Sequence, residues 1–177
     1  MRLFLLLTTA VLIAIGSALP QAPSPEVQAR IVPLFEAARG AERARDFERA
    51  AVLYEDVLRL APGIAEVWTN KGLVTHELGK HREALVAFQK ACELNPRLAV
   101  PQLFIGVEQL RLGRAREAIA PIEKALDLEP DNSKALYELA RAYLEVESYD
   151  RAVTLLSRLI EKDRTPMMPA LPWRLCT

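Results

Sequence analysis

The chain has 177 residues, with 23 Lys or Arg and 23 Asp or Glu, so its formal net charge is zero. A balanced charge lacks the basic surface that binds a phosphate backbone, and the sequence therefore predicts no nucleic-acid partner. Hydrophobic residues make up 51% of the chain and aromatic residues only 6%. This composition excludes global disorder, and the abundance of Ala and Leu favours an all-α protein over a β-rich fold.

The first 18 residues have the order of a secretory signal peptide. Arg2 supplies one positive charge, an apolar run follows as far as Ile15, and small residues come next. Gly16 and Ala18 give the small-x-small pattern of a cleavage site, so we expect residues 1–18 to be removed and the protein to be exported, into a periplasm or out of the cell. The alternative is an uncleaved anchor that tethers the chain to a membrane, although the apolar run is slightly short of the ~20 residues that span a bilayer.

Residues 19–30 are interpreted as a proline-containing spacer between the signal peptide and the folded domain. The segment QAPSP, which ends at Pro25, contains two prolines. Because proline interrupts regular helical hydrogen bonding, we expect that this segment is not helical throughout.

An internal repeat dominates the rest of the chain. Pro62, Pro96 and Pro130 lie 34 residues apart, and in this register the chain divides into four copies. In the second copy, apolar residues recur at helical intervals, Gly79 stops the first helix, and Pro96 follows the end of the second helix. Each copy is therefore predicted to be a hairpin of two helices. The copies span residues 31–62, 65–96, 99–130 and 133–164.

The pattern within the copies resembles the tetratricopeptide repeat. In the second copy, that family's bulky, small, small, aromatic, small and proline positions hold Trp68, Gly72, Ala84, Phe88, Ala91 and Pro96. The resemblance implies an all-α, right-handed superhelical solenoid of about four helical hairpins over residues 31–164. It also implies that the first helices line a concave groove, and that the protein binds other proteins or peptides.

The third copy departs most from the family pattern. Gln102 and Gln109 stand where large apolar residues are usual, and Pro121 lies inside the second helix. A proline there is expected to remove a backbone hydrogen bond and to bend the helix.

The resemblance further implies which side chains face the groove. We expect an apolar middle, flanked by two arginines, with Asn70 able to bond a peptide backbone. The predicted groove residues are Phe35, Arg39, Asn70, Leu73, Leu103, Phe104, Val107, Tyr137 and Arg141. Such a groove suits a partner with an apolar or amphipathic segment. The alternative is that these side chains only pack against neighbouring hairpins.

This family is known to bind the C-terminal carboxylate of chaperone peptides in a carboxylate clamp. Such a clamp is not expected in this chain. Such a clamp needs Lys, Asn and Arg at particular groove positions. Here the corresponding positions hold Phe35, Arg39, Val100 and Phe104, and only Asn70 fits.

The sequence predicts no catalytic residue, metal site or cofactor. His76 and His81 are separated by Gly79, so we expect them on different helix faces. No HExxH, GxSxG or phosphate-binding glycine motif occurs. Cys92 is expected to be a small buried thiol, and a disulfide between it and the penultimate Cys176 has no support.

Residues 165–177 form a proline-rich tail, which cannot supply the helix that usually covers the last hairpin of a repeat array. The apolar side of the last predicted helix therefore needs another cover. The tail itself, a second chain, or further repeats of a longer array are the alternatives, and self-association through this end is one prediction. The residues that need cover are Val153, Leu156, Leu159 and Ile160.

The sequence as a whole predicts an exported, non-catalytic scaffold. It would bind a peptide or protein segment in the concave groove during assembly of an envelope complex. Two alternatives remain open. In the first alternative, the chain is the docking or regulatory portion of a larger enzyme, such as an envelope peptidase. In the second, it is a structural spacer tethered to the membrane.

Overall fold

A computed structural model describes residues 24–164, which form eight helices and no strand. The helices are arranged as four consecutive hairpins, as the repeat predicts. They are α1 (Pro25–Arg43) and α2 (Phe47–Leu60), α3 (Ala65–Glu77) and α4 (His81–Leu94), α5 (Ala99–Arg111) and α6 (Ala115–Leu128), and α7 (Ser133–Glu145) and α8 (Tyr149–Arg164). The predicted signal segment and the predicted tail lie outside the described residues. Within residues 24–164, no helix is both long and apolar enough to cross a membrane.

Helix α1 begins earlier than expected, inside the predicted spacer of residues 19–30. Ser24 is its N-cap, and the side-chain oxygen of Ser24 accepts a hydrogen bond of 3.4 Å from the backbone N–H of Val27. Pro25 is the first helical residue, where the missing N–H would have no helical partner in any case. The expectation of a spacer up to residue 30 is therefore wrong from Pro25 onward.

Each hairpin turns at a residue in the left-handed conformation. The four positions are 34 residues apart in the chain and have φ angles of 59°, 69°, 73° and 60° at Arg45, Gly79, Gly113 and Glu147. In the second hairpin, the N–H of Gly79 donates to the carbonyl of His76 at 2.8 Å, and the N–H of Lys80 donates to that of Thr75 at 3.0 Å. These bonds satisfy carbonyls at the end of the first helix and turn the chain back.

The two helices of a hairpin cross at small residues. A Cβ atom on Gly72 would lie 2.5 Å from the ring of Phe88, and one on Gly106 would lie 2.9 Å from the backbone oxygen of Ala118. Such distances leave no room for a side chain, which explains the small residues at these positions. Pro121 lies inside α6, yet the helix continues to Leu128.

The first helices line the inner side of the array. Each helix packs against the next one in the chain, and in addition α3 contacts α5 and α5 contacts α7. No two second helices in the described range make a comparable contact. Helices α3, α5 and α7 are therefore closer together than the second helices of their hairpins, as expected for a solenoid whose concave side is formed by the first helices.

Candidate functional site

The first hairpin contributes an aromatic and basic part of the inner side. Phe35 is half-buried and packs edge-on against Tyr54, with ring centroids 5.9 Å apart, whereas Arg39 is exposed. The buried hydroxyl of Tyr54 donates a hydrogen bond of 2.7 Å to Glu42. Burial and then the Glu42 carboxylate raise the pKa of Tyr54, while Arg39 and Asn70 act in the opposite direction. Asn70, which is partly exposed, thus lies beside Tyr54 where the first two hairpins meet.

The middle of the predicted groove is buried, contrary to expectation. Leu103, Phe104 and Val107 retain only 3%, 9% and 3% of their exposure and belong to the hydrophobic core. The ring of Phe104 stacks on Phe88 at 5.2 Å between centroids, and the Lys134 ammonium lies 4.1 Å above the same ring. These side chains are covered because α5 contacts helices of both neighbouring hairpins. The prediction of an open apolar patch at these three residues is therefore wrong.

Apolar surface remains exposed at other positions of the first helices. Val100 and Tyr137 keep 41% and 51% of their exposure. Leu73 is half-buried and packs against the edge of the core.

Arg141 is balanced by acids of its own helix. Its Nη1 lies 3.0 Å from Oε2 of Glu138, in an ion pair without hydrogen-bond alignment, and its Nε lies 3.8 Å from Oε1 of Glu145. The fourth hairpin therefore presents an aromatic surface with mixed charge, rather than the simple cation that the sequence predicts.

A second cluster of polar side chains lies between the second and third hairpins. Glu108, whose side chain is fully buried, places Oε1 2.5 Å from Nδ1 of His76 and Oε2 2.7 Å from Nδ1 of His81. The two imidazole rings are 6.2 Å apart between centroids. The expectation that the histidines stay apart on different faces is wrong, because the turn at Gly79 returns His81 beside the end of α3. We call these three residues the His–Glu cluster.

One feature of the repeat sequence points to this cluster, although the spacing of the two histidines does not. At the position of Glu108, the other copies have Gly40, Val74 and Ala142. At a repeat position that otherwise holds a small or apolar residue, burying a carboxylate is costly unless neighbouring groups donate hydrogen bonds to it. The difference between Glu108 and the equivalent residues of the other copies is therefore the sequence signal for the cluster.

Cys92 is half-buried rather than fully buried. Burial raises the pKa of its thiol, and the nearby Lys124 acts in the opposite direction. Because the thiolate is the reactive form, this environment disfavours a reactive cysteine. Cys176 lies outside the described residues.

The last helix keeps part of its apolar side exposed. Val153 and Ile160 retain 60% and 56% of their exposure, and Leu156 and Leu159 are half-buried. Self-association through this end stays a prediction.

Comparison with known proteins identifies the repeat and the fold. Residues 65–98 and 109–171 match two family models described as tetratricopeptide repeat. No curated protein matches the sequence.

Solved structures of similar shape include MamA from Desulfovibrio magneticus RS-1, with 20% identity, a TM-score of 0.73 and coverage of 77% of each chain. The tetratricopeptide-repeat domain of Arabidopsis OM64 is 23% identical, with a TM-score of 0.64 over 66% of this chain and 96% of that chain. An O-GlcNAc transferase mutant from Thermobaculum terrenum is 27% identical, with a TM-score of 0.61 over 66% of this chain but only 22% of that chain.

Proposed function

The chain belongs to the tetratricopeptide-repeat family of protein-interaction scaffolds, and we propose that it is a non-catalytic scaffold that binds a peptide or protein segment along its first helices. The exposed apolar side chains of these helices carry the proposal. Val100 and Tyr137 are both exposed, although helices α5 and α7 pack against each other on the inner side of the array. A partner segment that covered them would remove apolar surface from water.

The polar groups beside this surface indicate the chemistry of the partner. Asn70 is partly exposed and has an amide that both donates and accepts hydrogen bonds, as an extended main chain requires. Arg39 is exposed, lies near Tyr54, and makes no ion pair with a described carboxylate. We therefore expect an extended segment with apolar anchors for Val100 and Tyr137 and an acidic residue near the first hairpin.

An affinity experiment on the full chain tests this surface. The unaltered protein and a Val100→Glu/Tyr137→Glu variant are used to capture proteins from envelope extract, and captured proteins are identified by mass spectrometry. Val86→Glu is the matched control, because Val86 is equally apolar, 62% exposed, and lies on a second helix. Leu103 and Phe104 are unsuitable for this test, since charges at these buried positions would unfold the protein.

We expect the unaltered protein and the Val86→Glu variant to capture the same specific partner. The double variant should not capture it. Equal capture by all three proteins would contradict binding along the first helices. Loss with both variants, at equal helix content by circular dichroism, would contradict binding confined to the first helices.

We propose further that the protein is exported and acts in assembly of an envelope complex. The support is the charge at Arg2, the apolar run that follows it, and the cleavage pattern that ends at Ala18. Mass measurement of the protein from its native cells tests the proposal, which expects a new N-terminus after Ala18. A retained first segment would instead support the membrane-tethered spacer.

A docking portion of a larger enzyme is the second candidate function. The likeness to the O-GlcNAc transferase favours it, because this chain matches only 22% of that chain. A catalytic motif in the same reading frame, upstream or downstream, would support this candidate over an independent scaffold.

A further inference from the structure

The His–Glu cluster brings three metal-ligating side chains from three helices to one point. His76 lies in the last turn of α3, His81 begins α4, and Glu108 lies in α5. One nitrogen of each imidazole and one carboxylate oxygen all lie within 4.8 Å of one another. The local fold thus places two nitrogen donors and one oxygen donor across the contact between the second and third hairpins.

The repeat does not require these residues, since the equivalent positions at the other contacts differ in chemistry. Between the first and second hairpins, the three positions hold Glu42, Phe47 and Val74. Between the third and fourth hairpins, they hold Leu110, Ala115 and Ala142. Hairpins therefore stack at both of those contacts without two imidazoles and a buried carboxylate.

The burial of Glu108 adds an independent argument. Its side chain is fully buried, and a lone carboxylate there would be strongly unfavourable. Both of its oxygens face imidazole nitrogens, which are also the ligands that first-row transition metals prefer. The side chains of His76 and His81 retain 18% and 32% of their exposure, so one side of the cluster is open to solvent.

We propose that His76, His81 and Glu108 bind a divalent transition metal such as Zn²⁺. Two histidines and one glutamate are a known ligand set for zinc, and water completes the tetrahedron on the open side. Tetrahedral ligands at about 2.0–2.1 Å from the metal are about 3.3 Å apart, so the nitrogens and oxygens must separate slightly from their present hydrogen-bonded positions. His81, as the first helical residue and the more exposed histidine, is best placed to move.

Binding would replace the two imidazole–carboxylate hydrogen bonds by bonds to the metal. Each Nδ1 that donates to Glu108 must present its lone pair instead, so its proton moves to Nε2 or to solvent. The metal would then join the second hairpin to the third. This inference is independent of the peptide-binding proposal.

Calorimetric titration of the full chain with Zn²⁺ alone tests the site. The whole chain contains only two histidines and two cysteines, so a Cys92→Ser/Cys176→Ser background removes thiolate binding and leaves both histidines. In this background we expect one Zn²⁺ per chain. His81→Gln and Glu108→Gln should each weaken binding at least ~10-fold, because each removes a direct ligand.

Glu93→Gln is the matched control, since Glu93 is an exposed acid of α4 whose partner is Lys90. It should leave Zn²⁺ affinity unchanged. Co²⁺ should give the visible absorption of a tetrahedral site in the cysteine-free background and lose it in His81→Gln.

Circular dichroism is needed to show that each variant is folded, and if Glu108→Gln is not, the partly exposed His81→Gln decides the result. Absence of Zn²⁺ binding in the cysteine-free background would overturn the proposal. So would Zn²⁺ binding of equal affinity in the cysteine-free chain and in folded His81→Gln.

Discussion

The ring of Phe88 lies so close to the backbone of Gly72 that a Cβ atom on this glycine would be 2.5 Å from the Cε1 atom of the ring. Phe88 is fully buried and stacks on Phe104 of the next hairpin, with ring centroids 5.2 Å apart. The ring therefore has no space into which to withdraw. The packing within one hairpin is in this way coupled to the contact with the next.

Gly72→Ala should lower the free energy of unfolding by about 1–3 kcal/mol, which is the usual cost of extra atoms in a packed core. The added methyl group must displace either the Phe88 ring or the whole of α4. Urea denaturation followed by circular dichroism measures this change.

Gly40→Ala is the matched control in the first hairpin. Gly40 also lies inside a helix, but a Cβ atom there would have no neighbour within 4 Å. Alanine is a better helix former than glycine, so this variant should gain about 0.5–1 kcal/mol. Equal effects of the two substitutions would contradict the role of the Phe88 contact.

The left-handed turns provide a second prediction. Arg45 and Glu147 adopt the conformation that glycine adopts at Gly79 and Gly113, and a side chain makes this conformation unfavourable. Arg45→Gly and Glu147→Gly should each raise the free energy of unfolding by roughly 0.5–1 kcal/mol, and Gly79→Ala should lower it by a similar amount. Thermal denaturation of the single variants measures these effects.

Glu147→Ala separates backbone conformation from loss of the charge. Alanine keeps the unfavourable Cβ atom, so this variant should gain much less than Glu147→Gly. If both variants are stabilised equally, the charge of Glu147 and not its φ angle is the cause.

The repeat spacing predicted the hairpins well because the relevant interactions are local. Gly79 and Pro96 mark where helices end, and the four copies repeat the same turn. The start of α1 was harder to predict, because Pro25 disfavours a helix interior but suits a first helical position. Only the cap at Ser24 decides between these two effects.

The groove was predicted less well because exposure depends on contacts between copies. Leu103 and Tyr137 occupy equivalent positions of their repeats, yet one is 3% exposed and the other 51% exposed. Helix α5 has neighbours on both sides, whereas α7 has no hairpin beyond α8 within the described chain. The sequence pattern of one copy contains no information about this difference.

The pH dependence of stability provides the last prediction. Burial and the hydrogen bond to Glu42 raise the pKa of Tyr54, so the folded state favours the neutral phenol. This stabilisation is fully present below the ordinary tyrosine pKa of about 10, and it is lost as pH rises toward the higher pKa of the folded state. The unaltered protein should therefore lose about 1.4 kcal/mol per pH unit from this residue in that range.

Tyr54→Phe removes this titration. At neutral pH the variant should be less stable by about 1 kcal/mol, because the hydrogen bond to Glu42 is lost. Above about pH 10 its stability should fall less steeply than that of the unaltered protein, so the two profiles approach each other and cross within about one pH unit. Urea denaturation at a series of pH values measures both effects, and parallel profiles above pH 10 would show that Tyr54 ionises as readily in the folded chain as in the unfolded one.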